Sequence, residues 1–84
     1  MLTWLKQMNA TRAAERELVQ TQAELRSVEE ELARSAGRLK GLKALPNANP
    51  QELGRMEGEV AALSRHAIAA RRWIAGLEQQ LRKL

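Results

Sequence analysis

His66, the serines Ser27, Ser35 and Ser64, and the run Glu29-Glu30-Glu31 are the side chains through which catalysis or ion binding would have to run in this chain. A helical zinc pair needs a second ligand one turn away, and the residues four positions from His66 are Ala62 and Ala70. None of the serines has a base beside it in sequence to take its proton, and no glycine-rich strand-to-helix loop is present to cradle a phosphate. Three consecutive glutamates on a helix point in different directions and read as a solvated face. With no cysteine there is no disulfide framework and no thiolate metal site. His66 is expected to be solvated or paired with Glu31. The reading is a non-enzymatic chain with no catalytic residues, no cofactor and no metal.

Nucleic-acid binding is the chemistry the charge suggests, since the formal charge is +4 and the sequence pI about 10.4. The charge is segmented, however. Residues 15–31 carry six Glu against two Arg, residues 32–51 carry four basic residues and no acid, and residues 60–84 carry five basic residues and one Glu. Arg65 and Arg72 share the outermost stripe of the second helix, with Arg71 beside them. These three are the candidate nucleic-acid contacts. Two small basic clusters separated by acid do not form a continuous groove, so this is the alternative reading.

The elements that carry these residues follow from composition and periodicity. Eighty-four residues allow one small domain. Phe, Tyr and Asp are absent, and the only aromatics are Trp4 and Trp73. Leu, Ala, Glu, Arg, Gln and Lys dominate, the profile of long helices and coiled coils. Leu45-Pro46-Asn47-Ala48-Asn49-Pro50 is the one stretch helix cannot comfortably cross. Pro46 disfavours α geometry at Leu45, and neither proline can donate an interior helical hydrogen bond. Asn49 suits an N-cap and Pro50 the first helical position, and Glu52 completes the spacing of a capping box. The first helix is expected over about 3–44, the turn over 45–49 and the second helix over about 50–84.

In the second helix Leu53, Met56, Val60, Leu63, Ala67, Ala70, Ile74, Leu77, Leu81 and Leu84 succeed one another at alternating steps of three and four. That is a heptad seam, with Leu53, Val60, Ala67, Ile74 and Leu81 at a. The first helix carries Leu18, Leu25, Leu32 and Leu39 at a, with Ala14, Thr21, Val28, Ser35 and Leu42 at d. Folding at the turn pairs Leu42 with Leu53. Stepping outward then pairs Leu39 with Met56, Ser35 with Val60, Leu32 with Leu63, Val28 with Ala67, Leu25 with Ala70, Thr21 with Ile74, Leu18 with Leu77, Ala14 with Leu81 and Thr11 with Leu84. Several layers match large with small, as an interdigitating core requires. The fold class is therefore all-α, a two-helix antiparallel coiled-coil hairpin. On its flanks this register places Arg38 near Glu59, Glu31 near His66, Gln22 near Arg71 and, unfavourably, Glu15 near Glu78.

One seam is a thin core for a chain of this length, because ordering it costs about 1.5 kcal/mol per residue. A second hairpin making a four-helix bundle, or docking on a larger protein, would supply the missing burial. The overhang of the first helix carries Leu2, Trp4, Leu5 and Met8 with no opposite number. Val19 and Ile68 lie on the same broad side as Leu5 and Met8, and Ala33, Ala36, Ala61 and Ala75 there are small enough to admit another helix. These residues form the expected partner interface, with Trp4 as anchor and another copy as the favoured occupant. Gly37, Gly41, Gly54 and Gly58 cluster near the turn, either for close approach by a partner or as softness at the tip. The expected function is a protein–protein interaction or oligomerisation module, a homodimer or small adaptor.

No apolar run is long enough to span a membrane, and the first residues lack the basic start, apolar stretch and cleavage site of a secretory signal. A cytoplasmic protein is expected. In outline, its length, its two helices, the turn Pro46-Asn47-Ala48-Asn49-Pro50 and the early Trp4 resemble type III secretion needle subunits and their hairpin co-chaperones, which implies a protein-binding role. The strict heptads depart from a needle-like pattern.

Overall fold

The structure, a computed structural model, describes residues 2–83, and for Leu2 the backbone alone. Leu84, and the Leu2 side chain expected at the interface, lie outside the described residues. Two helices, α1 (Leu2–Lys43) and α2 (Pro50–Lys83), fold back on each other as an all-α hairpin measuring 70 × 16 × 14 Å. Neither helix is long and apolar enough to cross a membrane.

Local chemistry sets the turn. The last turn of α1 tightens, the Leu45 N–H donating to the Leu42 carbonyl at 3.1 Å, while the Ala44 N–H keeps its α-type bond to Lys40 O at 3.2 Å. Lys40 and Lys43 stand at the carbonyl end of α1, where cations suit the helix dipole. No described residue has positive φ, so the chain reverses without a left-handed residue and Pro46 does the terminating. The restart is capped by Asn49, whose Oδ1 accepts from the Gln51 N–H at 2.9 Å, with Pro50 in the first helical position. The Leu53 N–H then closes the first full turn on the Asn49 carbonyl at 3.0 Å.

Burial follows the heptads. In α1, from residue 3 onward, the residues that are not exposed are Thr11, Ala14, Leu18, Thr21, Leu25, Val28, Leu32, Ser35, Leu39 and Leu42. In α2 they are Leu53, Met56, Val60, Leu63, Ala67, Ala70, Ile74, Leu77 and Leu81, with Ser64 the one addition. This is the stripe the three-and-four spacing predicts. Thr11 enters it without leaving its hydroxyl unpaired, because Oγ1 donates to the Gln7 carbonyl at 2.8 Å.

Three cross-helix contacts fix the alignment. Lys43 Nζ lies 3.7 Å from Glu57 Oε1, and Arg71 Nη2 lies 3.2 Å from Glu29 Oε2. Both partners shift by fourteen residues, in opposite directions, from one pair to the next, as antiparallel helices demand. On this edge each α2 partner sits five positions farther from the turn than level. On the opposite edge Trp73 donates its indole N–H to Glu17 Oε1 at 3.0 Å, five positions nearer the turn than level. The level between the two edges pairs Leu42 with Leu53.

The flank pairing differs from the expectation at Arg71, which reaches Glu29 rather than Gln22. Helical side chains lean toward their own N-terminus. Glu29 and Arg71 lean toward one another by this rule and carry opposite charge, so Arg71 takes the Glu29 carboxylate in place of the neutral Gln22 amide. Glu59 is engaged within its own helix, by Arg55 at 3.3 Å.

Candidate protein-interaction surfaces

The seam consumes one stripe of each helix and leaves two outer sides. Positions e and b of both helices make up the first side, which carries Leu5, Met8, Val19 and Ile68. Positions g and c make up the second, which carries Trp73.

On the first side the sequence-predicted residues are exposed, from 41% at Met8 to 66% at Val19, with Leu5 and Ile68 between. Trp4 is 54% exposed and, seven residues before Thr11, continues the seam phase. Trp4 and Met8 line one shallow hollow with Gln7, Thr11, Arg12 and Glu15. Val19 lies in the next, enclosed by Arg12, Glu15 and Arg16. These residues are not adjacent. Met8 and Val19 are about 16 Å apart along α1, and Val19 and Ile68 differ in level by about 12 Å at 1.5 Å per residue. The Glu29–Arg71 ion pair occupies the groove between the helices on this side. Burying that pair under a second hairpin would cost desolvation that its Coulomb energy does not reliably repay. The structure thus gathers these residues on one side but separates them with charge.

On the second side the sequence marks Trp73, with Ala69 and Gly76, as an unusually apolar flank of α2, but does not by itself say whether it is a contact site. Trp73 is 56% exposed, and its indole N–H is held by Glu17. A hollow lies on each side of the ring. Glu17, Arg72, Gly76, Leu77 and Gln80 line one with Trp73, while Glu24, His66, Ala69 and Ala70 are among those lining the other. From Ala69 and Gln20 to Gln80 and Ala13, the g and c positions carry one charged residue, Glu17, whose carboxylate already accepts the indole proton. The signal available in sequence was the conjunction of a tryptophan at g with Ala69 and Gly76 at c.

Among the candidate nucleic-acid contacts, Arg71 is engaged by Glu29, and Arg72 faces the hollow it shares with Glu17. Arg65 is exposed. A basic groove is not formed by the three. His66 is exposed and lines the hollow that contains Glu24 rather than meeting Glu31 there. No group of three His, Cys, Asp or Glu able to hold a metal ion occurs among the described residues.

The glycines occupy outer positions. A Cβ built on Gly37, Gly41, Gly54, Gly58 or Gly76 meets nothing within 4 Å, so none is required for the approach of α1 to α2.

No protein-family model, no curated protein and no solved structure matches this chain.

Proposed function

We propose that this chain is a non-enzymatic protein–protein interaction module, an antiparallel coiled-coil hairpin that self-associates and displays further apolar side chains to a partner protein. The observation that carries this reading is the surface left uncovered. A compact monomer of 9.4 kDa exposes about 5,000 Å² by the usual mass scaling, whereas this hairpin exposes 6560 Å². Most seam leucines are only partly buried, Ala67 alone reaches 1% exposure, and seven large apolar residues among those described lie on the outside. A standard interface covers about 800 Å² on each partner, which the excess accommodates. Leu5, Met8, Val19 and Ile68, with Trp4, are the residues proposed to meet a larger partner chain, whose apolar groups would reach between the charges of that side.

Self-association makes unfolding depend on concentration, because it draws on the folded form alone. Thermal unfolding followed over a hundredfold range of protein concentration should give a Tm that rises with concentration. It should change little between about 50 and 500 mM salt, since apolar contacts are not screened. A Tm that stays constant with concentration would remove self-association from the reading. Nucleic-acid binding has less support, because Arg71 is already paired. It would announce itself as binding to a labelled duplex that falls steeply with salt.

A further inference from the structure

The geometry points to the side carrying Trp73 as the surface on which a second copy of this chain docks, the two hairpins packing α2 against α2 about a two-fold axis close to Gly76. This inference rests on the self-association proposed above and adds where the contact lies.

An isologous interface must be self-complementary, so a projecting group and the recess that receives it have to lie on the same patch of one molecule. Trp73 and its neighbouring hollow meet that condition. Trp73 is 56% exposed, and Gly76, one turn further along α2, leaves open space where its side chain would be. With two copies antiparallel, each ring enters the other's hollow over Gly76, between Leu77 and Gln80. Gly76 leaves open space for an incoming ring, and Ala69 on the same stripe is small enough to let a second backbone approach. Aromatic side chains bury about 150–250 Å² each, so two rings supply a sizeable part of a standard interface. The area in excess of a compact monomer is large enough to give up about 800 Å² per copy.

This side presents fewer charges at its centre than the other. Its one central charge, Glu17, already has a hydrogen-bond donor in the indole, and Arg72 on the same rim can meet Glu17 of the second copy. The side of Ile68 would instead have to bury the Glu29–Arg71 pair.

The test uses the whole chain and three variants in sedimentation equilibrium, with circular dichroism to confirm the fold. Trp73→Arg keeps a donor for Glu17 but removes the ring. Gly76→Arg fills the hollow while replacing a glycine in an open helical position, so it should raise the Tm of the isolated hairpin. Both should reduce the mass from twice 9.4 kDa to 9.4 kDa with helicity retained. Ile68→Glu should remain at the dimer mass. If Ile68→Glu is monomeric while the Trp73 and Gly76 variants remain dimeric, the copy docks on the opposite side and this inference fails while self-association stands. If the unmodified chain is monomeric, both fail together.

Discussion

Arg71 of α2 lies 3.2 Å from Glu29 of α1, two residues forty-two positions apart in sequence, and the pair is fourteen residues farther from the turn on each helix than Lys43 and Glu57. The contact reports the register without contributing much to it. Both side chains are about half exposed, and exposed pairs are worth roughly 0.2–1 kcal/mol. A double-mutant cycle on Arg71→Ala and Glu29→Ala, read by urea unfolding, should give a coupling in that range that shrinks toward zero in high salt. A coupling above roughly 2 kcal/mol would show that the pair is buried and the flank misassigned.

The register itself depends on the seam. Leu32 and Leu63 face one another in a central layer, and a carboxylate there loses apolar burial and must be desolvated. Leu63→Asp or Leu32→Asp should cost at least the roughly 2–5 kcal/mol of a large-to-small core change and leave the chain largely unfolded by circular dichroism. Arg65→Asp, on the outer stripe, should move stability by no more than about 0.5 kcal/mol. Comparable losses from both kinds of change would mean that seam and surface have been exchanged.

Most of this fold was legible in sequence because a two-helix hairpin states its core twice. The spacing from Leu53 to Leu81 and the seven-residue recurrence of Leu18, Leu25, Leu32 and Leu39 each give a stripe, and the prolines at 46 and 50 give the point of reversal. The side-chain pairs on the flanks were less legible. Long side chains reach more than one residue across the groove and settle on the partner of matching chemistry, so Arg71 finds the Glu29 carboxylate and passes Gln22. The surfaces were legible only as a list of exposed apolar residues. Val19 and Ile68 share a side, but periodicity does not show the ion pair between the helices there. Nor does it show that Trp73 is steadied by Glu17 over an open Gly76.

The cap at the restart of α2 gives a local test. Asn49 Oδ1 satisfies the Gln51 N–H, one of the donors that a helix start leaves without an internal partner. Asn49→Ala should lower stability by about 0.5–2 kcal/mol, and Asn49→Ser should recover most of the loss. If alanine is tolerated without any fall in Tm, the cap is not what starts the helix.

The glycines near the tip separate two roles. Gly37 and Gly58 have open space where a side chain would stand. In that case Gly37→Ala and Gly58→Ala should each stabilise the hairpin by up to about 1 kcal/mol, raising Tm and leaving the mass in solution unchanged. A drop in association with no loss of helicity would instead identify the tip as a contact surface.

The central claim is that this hairpin completes its burial by associating with a second chain. Sedimentation equilibrium of the unmodified chain from low micromolar to several hundred micromolar tests it most directly. The account predicts a reversible rise from 9.4 kDa to twice that mass, with little response to salt. A mass of 9.4 kDa at every concentration, with the hairpin fully helical and stably folded, would contradict it.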